Sequence, residues 1–235
     1  LFECKNWFMK IIIGIQARMS SKRFPGKVLA KASGNSILSI LYKRISAVVP
    51  KKDIFILTSK KASDDVIEKY CNKFKINIFR GSLENVYDRY LNFSQMINCD
   101  GIVRLCADSP FIDPNLLLRM MKFFKNGKYD IVTNIFPKTF PSGQSIEIVS
   151  VDVLKKIKKK SKDRHEREHV TKFFYNNSQT FRIFNFSCEY FHENIDISID
   201  EEDDFKKFVS LNKHFGNKVI SLPVSKILKY WQVMA

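Results

Sequence analysis

Apolar stretches alternate with amphipathic ones along the first 130 residues of the chain. Five runs rich in β-branched residues are typical of strands buried on both faces of a sheet, and they cover residues 10–16, 53–58, 76–79, 101–106 and 130–133. Between them, apolar residues recur at helical spacing in residues 36–48, 63–74 and 84–97. Asp113 followed by Pro114 has the form of a helix N-cap and first helical position. The order predicts an α/β fold with a mainly parallel, doubly wound sheet and helices on both faces.

The alternation changes after about residue 134. Residues 136–144 contain proline and glycine and predict a loop, while short strands are predicted at 145–149, 181–186 and 195–199. Helical spacing returns in residues 151–160, 164–176 and 201–214. We therefore expect a small α+β excursion at about residues 135–195 within a single domain of residues 9–235. Residues 1–8 are expected to be an N-terminal extension that carries no chemistry.

The cysteines and the apolar runs limit the class of protein. The five cysteines are odd in number and scattered, without a Cys-x-x-Cys pair, which argues against a disulfide framework and a zinc site; they are Cys4, Cys71, Cys99, Cys106 and Cys188. No apolar run approaches the roughly 20 residues of a membrane helix. Both observations lead us to expect a cytoplasmic protein without a membrane span.

The chain is strongly basic, with 40 Lys and Arg against 24 Asp and Glu and a formal net charge of +16. Such a balance raises nucleic acid as a partner. Most of the excess is lysine spread along the chain, and the one dense run, residues 155–162, is typical of a solvated face beside a helix end. We expect no nucleic-acid partner, although a polyphosphate substrate would be attracted to this surface.

A basic loop follows the first predicted strand. Residues 17–27 contain Arg18, Lys22, Arg23 and Lys27 together with two serines, a proline and a glycine. Ligands of open α/β sheets bind beyond the carboxyl ends of the strands, and cations with backbone amides suit a polyphosphate there. The spacing matches neither a Walker A loop nor a dinucleotide-binding glycine motif. The loop is therefore a candidate phosphate-binding element of another kind.

Two aspartates stand where predicted strands end. Asp108 follows the run at 101–106, and Asp200 follows the run at 195–199. Mg²⁺ takes one or two carboxylates and completes its coordination with water and phosphate oxygens. The two side chains are therefore candidate ligands of one Mg²⁺ ion.

One further motif resembles a metal site. Residues 165–169 read His-Glu-Arg-Glu-His, which matches the helical His-Glu-x-x-His pattern of zinc proteases. The flanking residues are highly charged and nothing else in the chain supports a protease. We therefore do not adopt the zinc interpretation.

Taken in order, these segments resemble the SpsF-like, spore-coat-polysaccharide branch of the cytidylyltransferases, which are related to the CMP-Kdo and acylneuraminate cytidylyltransferases. The opening motif is residues 15–29. The later motifs are Phe79-Arg80-Gly81-Ser82 with Val86, Arg89 and Tyr90; residues 103–110; Pro141-x-Gly143-x-x-x-Glu147; residues 167–171; and Ile199-Asp200-x-x-x-Asp204. The resemblance covers nearly all of residues 9–214.

The resemblance implies a Rossmann-like nucleotidyltransferase fold, often dimeric, that transfers CMP from CTP to a sugar acid or related acceptor and releases pyrophosphate. It implies nucleotide binding by Ala17, Arg18, Ser21, Arg23, Lys27 and Arg80, with Arg18, Lys27 and Asp108 as catalytic residues. Asp108 and Asp200 would hold Mg²⁺. The acceptor would contact Glu147, Arg167, Glu168 and His169.

Three positions depart from the branch pattern. Asn85 stands where aspartate is usual, Phe24 replaces leucine, and Gln144-Ser145 interrupts a Gly-Leu-Asp-like stretch before Glu147. These departures bear on the acceptor more than on the nucleotide chemistry. Two other functions remain open at this point: a glycosyltransferase that uses a nucleotide sugar, and a basic nucleic-acid-binding protein.

Overall fold

The computed structural model describes residues 9–127, 129–157, 170–188 and 195–234. Its strands are β1 Ile11–Gln16, β2 Lys31–Ala32, β3 Asn35–Ser36, β4 Ile54–Ser59, β5 Asn77–Gly81, β6 Gly101–Cys106, β7 Ile131–Thr133, β8 Glu147–Ser150 and β9 Ile183–Asn185. Its helices are α1 Ile37–Ser46, α2 Asp65–Phe74, α3 Val86–Ile97, α4 Pro114–Phe124, α5 Val151–Ile157, α6 Lys172–Asn176, α7 Glu202–Phe215 and α8 Val224–Val233.

Seven of the strands form one sheet in the order β5-β4-β1-β6-β8-β7-β9. β5, β4, β1 and β6 are mutually parallel, β8 runs antiparallel to both of its neighbours, and β9 is parallel to β7. The prediction of a mainly parallel sheet is confirmed. In β1 and β6 the last residues, Gln16 and Cys106, are register partners, so these two carboxyl ends meet.

Helices cover both faces of the sheet, as predicted. Side chains alternate along a strand, so Ile11, Ile13 and Ile15 pack with α1, α2 and α4, whereas Ile12 packs with α3, α5 and α6. A third apolar cluster joins α7 and α8 to the start of α1. Since residues 131–185 supply β7, β8 and β9, the predicted excursion shares the main sheet.

Capping residues set the starts of two of the predicted helices. The Asp113 side chain accepts the Asn115 N–H at 2.9 Å, with Pro114 at the first helical position of α4. Ser36 accepts the Ser39 N–H at 3.1 Å at the start of α1. These side chains satisfy amide donors that have no partner within the helix.

The prediction of a strand at residues 195–199 is wrong. Only Asp196 makes a bridge, with Ser142, because the amides of Ile197 and Ile199 donate to two different segments, at Ser142 and Asp108. Of the helix predicted at 164–176, α6 covers the last five residues, and residues 158–169 lie outside the described residues. The sequence reading missed α8, whose Trp231 packs edge-on against Phe111.

Among the described helices, none is both long enough and apolar enough to cross a bilayer.

Candidate active site

A cleft of about 340 Å³ opens at the carboxyl ends of β1 and β6. The residues that line it are Gln16, Arg18, Ser20, Ser21, Lys22, Arg23, Lys27, Val28, Cys106, Asp108 and Asp200. Four of them are cations and two are carboxylates. The cleft thus lies at the carboxyl ends of the strands, as expected for an open α/β sheet. Most of its wall is the segment after β1, residues 17–29, which we call the β1 loop.

The β1 loop is held by its own backbone and by the core. The Gly26 N–H donates to the Met19 carbonyl at 2.9 Å, which closes the basic part of the loop into a ring. Val28 is buried in the core on the α1 side, and the Phe24 ring lies 5.4 Å from that of Phe205 on α7. The loop thus has a fixed base while its cations face the cleft.

A buried carboxylate ties the β1 loop to the end of β4. Asp64 is fully buried and accepts the N–H groups of Met19 at 2.8 Å and Ser59 at 3.2 Å, as well as the Ser59 hydroxyl. Hydrogen bonds from several donors stabilise a buried carboxylate. Asp64 therefore positions the start of the loop without touching the cleft.

The centre of the cleft is a lysine held between two aspartates. The Lys27 Nζ lies 3.2 Å from Asp108 Oδ2 and 2.6 Å from Asp200 Oδ1, and the Lys27 side chain is only 8% exposed. The carboxylates themselves are 32% and 30% exposed. The Ser109 hydroxyl also donates to Asp108. The structure thus brings together three residues that lie up to 173 positions apart in the sequence.

Asp200 reaches the cleft through a segment docked on two loops rather than through a strand. The Ile199 N–H donates to the Asp108 carbonyl at 2.8 Å, and the Ile197 N–H donates to Ser142 at 3.0 Å. Gly143 permits this docking: its φ is +87°, and a Cβ there would lie 2.8 Å from the Ser198 nitrogen. Asp200 lines the cleft together with Asp108, but its predicted placement at a strand end is wrong.

The motif Ile199-Asp200-x-x-x-Asp204 has a structural explanation in the contacts of Asp204. Its carboxylate accepts the backbone N–H groups of Asp200 and Glu201, both at 2.9 Å, and forms a capping box at the start of α7. Asp204 therefore orients Asp200 through the backbone N–H of Asp200.

Asp200 is also paired with Arg23, at 2.9 Å. Burial alone would raise the pKa of Asp200, but the hydrogen bond and charge of Lys27, together with the charge of Arg23, outweigh it and lower that pKa. The carboxylate is therefore a stable anion at neutral pH. Arg23 itself is 58% exposed and pairs in addition with Glu201.

The remaining residues predicted to bind nucleotide separate into two groups. Arg18 and Ser21 line the cleft. Ala17 is buried with its N–H on the Leu57 carbonyl, and Arg80 is not among the cleft residues. The Arg80 guanidinium instead binds Asp65 and Glu68, both at 2.6 Å, and two carbonyls, so that it braces the segment that carries Asp64.

Glu147, predicted to contact the acceptor, is 1% exposed. It forms an ion pair with Arg104 and accepts the Tyr175 hydroxyl at 2.6 Å, and that hydroxyl lies 3.0 Å from the hydroxyl oxygen of Thr133. We call these four residues the Arg104 cluster. The other predicted acceptor residues, Arg167, Glu168 and His169, lie outside the described residues, as does the His-Glu-Arg-Glu-His motif.

The three departures from the branch pattern have structural explanations. Asn85 caps α3, where its side-chain oxygen accepts the Asp88 N–H at 3.0 Å, a task that aspartate performs equally well. Phe24 packs on Phe205. Gln144 is buried and joins the Phe111 carbonyl to the Asp113 N–H.

Sequence reasoning left out several residues that shape the site. Gln16 and Cys106 line the cleft simply as the last residues of their strands. Arg104 had a usable signal, because it is the one charged residue within the apolar run 101–106. Asp64 had none, since an aspartate directly before a helix suggests only a cap.

The Asp108 and Asp200 carboxylates are hard oxygen donors that converge on one cationic centre and remain one-third exposed. No group of three or more Asp, Glu, His or Cys able to hold a metal occurs within the described ranges. The pair suits an ion that takes two carboxylates and completes its shell with phosphate and water oxygens, as Mg²⁺ does.

Comparison with known proteins agrees with this geometry. The family model for cytidylyltransferases matches residues 11–226. The spore coat polysaccharide biosynthesis protein SpsF of Bacillus subtilis is 33% identical over 217 residues, which cover 88% of each chain. A 3-deoxy-manno-octulosonate cytidylyltransferase of Rickettsia bellii is 28% identical over 61% of this chain and 59% of its own length.

A solved structure gives the same result. The cytidylyltransferase of Leptospira borgpetersenii superposes with a TM-score of 0.84 at 31% identity, covering 88% of each chain. The sheet, the helices on both its faces and the cleft at its carboxyl edge are those of the Rossmann-like nucleotidyltransferase fold. The chain therefore belongs to the cytidylyltransferase family and is a CTP-dependent nucleotidyltransferase.

Proposed function

We propose that the protein transfers CMP from CTP to a sugar acid or related acceptor and releases pyrophosphate, with Mg²⁺ as its cofactor, in the biosynthesis of a surface polysaccharide or glycoconjugate. The observation that carries the proposal is the Lys27 ammonium between Asp108 and Asp200, inside a cleft walled by the cations of the β1 loop. The names of SpsF and of the octulosonate cytidylyltransferase support the acceptor class.

In the proposed reaction an acceptor hydroxyl oxygen forms a bond to the α-phosphorus of CTP. The bond from that phosphorus to the bridging oxygen breaks, pyrophosphate leaves with the electron pair, and the hydroxyl proton is released. Such reactions depend on positioning and electrostatics. Arg18 and Lys27 would neutralise the leaving pyrophosphate, and Ser21 and Arg23 would hold the triphosphate with them.

Asp108 and Asp200 are the residues that would hold Mg²⁺. When bound, the ion would supply a positive charge to the phosphate oxygens. Lys27 supplies a fixed charge at the same centre, and Asp204 and Ser109 keep the two carboxylates oriented. The free thiols of Cys71, Cys99, Cys106 and Cys188 suit a reducing cytoplasm, where we place the reaction. On the basis of the family resemblance we further propose that the protein forms a homodimer, which light scattering would test.

The test is a screen for pyrophosphate release. Each of the four NTPs is offered with a panel of ulosonic, aldonic and uronic acids, with Mg²⁺ and with EDTA. We expect release with CTP, with at least one acid, and only when Mg²⁺ is present. Release with another nucleotide in preference to CTP, or undiminished release in EDTA, would contradict the proposal.

A further inference from the structure

Arg104 lies beside the cleft, two residues before Cys106 of its lining, and its side chain is 16% exposed. Side chains two residues apart on a strand share a face, so Arg104 and Cys106 point to the same side of β6, and Cys106 lines the cleft. On β1 the register partners of this pair are Gly14 and Gln16. Gly14 has no side chain, and Leu57 and Tyr90 pack against it: a Cβ there would lie 2.8 Å from Leu57 Cδ1 and 3.2 Å from Tyr90 Cε1. The Tyr90 hydroxyl also donates to the Gly14 carbonyl at 3.3 Å.

This wall is distinct from the phosphate side of the cleft. The β1 loop packs through Val28 on the sheet face covered by α1. Arg104 and Gln16 belong to the opposite face, covered by α3. The cations of the β1 loop can therefore serve a triphosphate while Arg104 faces a second ligand.

The Arg104 cluster holds the guanidinium in one orientation. Glu147 on β8 is the register partner of Arg104, and Thr133 on β7 is the register partner of Glu147. The three residues therefore form one row across β6, β8 and β7. Burial raises the pKa of Tyr175, and the charge of Glu147 raises it further, so the phenol stays a hydrogen-bond donor to Glu147. Both Glu147 oxygens are thus engaged within the protein.

Arg104, in contrast, keeps unused donors. Its Nε is buried and has no hydrogen-bond partner, and the same holds for the side-chain oxygen of neighbouring Gln16. Arg44 provides the comparison: it is 2% exposed, and its guanidinium donates to the carbonyls of Ile112, Val219, Ile220 and Leu222. The Arg104 side chain is 16% exposed, and among the described residues its guanidinium donates to Glu147 alone.

Stability does not account for the Arg104–Glu147 pair, because the desolvation of two buried charges offsets most of their attraction. Positive charge also accumulates at this wall. Arg89 is 1% exposed, and burial is the main cause that lowers its pKa. Tyr90 and Asp64 raise that pKa, whereas the charges of Arg18 and Arg104 lower it, so the three guanidinium groups lie within electrostatic range of one another. An anion bound here would relieve both the unpaired donors and the repulsion.

We propose that Arg104 recognises the carboxylate of the acceptor and that Glu147 and Tyr175 act as positioning residues that hold its guanidinium. The inference rests on the proposed function and sharpens it: the acceptor is an acid because the wall opposite the β1 loop carries a braced arginine. It also changes the role of Glu147 from a direct acceptor contact to a support.

Kinetics of Arg104→Met and Arg104→Lys with paired acceptors test the proposal. Each acid of the panel is compared with the matching polyol that lacks the carboxylate, and pyrophosphate release gives KM for acceptor and for CTP. We expect Arg104→Met to raise the acceptor KM for the acid roughly 10- to 100-fold, as typical for loss of a charge-assisted hydrogen bond. Arg104→Lys should recover part of this loss because lysine restores the positive charge but not the planar, two-donor geometry of the guanidinium. The KM for CTP should stay within about twofold in both variants.

Arg182→Met is the matched control. Arg182 also pairs with a single carboxylate, Asp130 at 3.0 Å, but it lies at the amino end of β7 and β9, away from the cleft. We expect its kinetics to equal those of the wild type. Tyr175→Phe should raise the acceptor KM less than Arg104→Met does, again without changing the KM for CTP.

Several results would overturn the inference: a wild type that prefers the polyols, an equal loss on acids and polyols in Arg104→Met, or a CTP KM that rises in step. A wild type that turns over each acid and its matching polyol equally well would also overturn it. Failure to bind CTP in calorimetry, or pyrophosphate release with none of the acids and polyols, would instead contradict the proposed function, which keeps the two failures distinguishable.

Discussion

The β1 loop and the Arg104 cluster present positive charge to one cleft in opposite ways. In the β1 loop, Arg18, Lys22 and Arg23 are exposed side chains on a backbone that its own hydrogen bonds hold in place. In the Arg104 cluster the side chains are fixed by one another, and Glu147 and Thr133 are almost fully buried. Adaptable cations suit a triphosphate, whose charge is spread over many oxygens. A braced guanidinium suits one planar carboxylate. The difference indicates which ligand each wall serves.

The largest effect is expected at the junction of the two walls. Asp108→Asn and Lys27→Ala should each lower turnover by about 10²-fold or more, because each removes a fixed charge at the reacting phosphate. Pyrophosphate release at saturating CTP and acceptor measures this, and circular dichroism melts check that both variants remain folded. Near-normal turnover in both variants would remove the assignment of the catalytic centre.

The next largest effect is expected at Tyr175, whose hydroxyl holds Glu147 in the Arg104 cluster. Tyr175→Phe removes the hydroxyl that donates to Glu147 and should raise the acceptor KM by about 5- to 10-fold, as for loss of one hydrogen bond to a charged group. Initial-rate measurements at fixed CTP provide the value. The comparison of the two walls would fail if this variant affected the KM for CTP instead.

Asp64→Asn tests how the β1 loop is anchored. The asparagine amide would confront one of the N–H donors of Met19 and Ser59 that the carboxylate now accepts. The free energy of unfolding should fall by about 1–3 kcal/mol, and the KM for CTP should rise several-fold. Denaturant titration and initial rates measure the two effects.

Asp65→Asn is the matched control for that variant. Asp65 follows Asp64 in the chain and is 49% exposed, where it pairs only with Arg80. We expect little change in the KM for CTP, and an equal change in both variants would show that Asp64 has no special role.

The smallest effect is expected at Arg23. Its side chain is 58% exposed and its ion pairs with Asp200 and Glu201 are accessible to solvent. Because exposed ion pairs contribute little and are screened by salt, Arg23→Ala should raise the KM for CTP by no more than about fivefold. The change should shrink as NaCl is increased from low to high concentration, and a salt-independent change would argue against an electrostatic role.

The sequence predicted the sheet, the cleft and the central residues because each has a local signal. Buried parallel strands are continuous apolar runs, and strand-end residues of β1 and β6 must meet at one edge. Asp108 and Lys27 follow from that rule. Asp200 also lines the cleft, but not at a strand end as predicted, since its segment is docked by Gly143 and Asp108 rather than paired in a ladder.

Other features depend on contacts that no local pattern reveals. Arg80 carries the same charge as Arg18, yet Asp65 and Glu68 on α2 bind it away from the cleft. The burial of Glu147 results from a partner on β6 and a tyrosine on α6. α8 was missed because its apolar positions gain meaning only from the cluster around Phe111. Tertiary partners, and not residue types, decided these cases.

The division of the cleft into a nucleotide wall and an acceptor wall has one direct test, which needs no knowledge of the acceptor. Isothermal titration of CTP in the presence of Mg²⁺ into wild type, Arg104→Met and Lys27→Ala gives three dissociation constants. We expect Arg104→Met to bind CTP within about twofold of the wild type, whereas Lys27→Ala should weaken CTP binding by about tenfold or more, as expected for loss of a charged contact. Equal weakening in the two variants would contradict it.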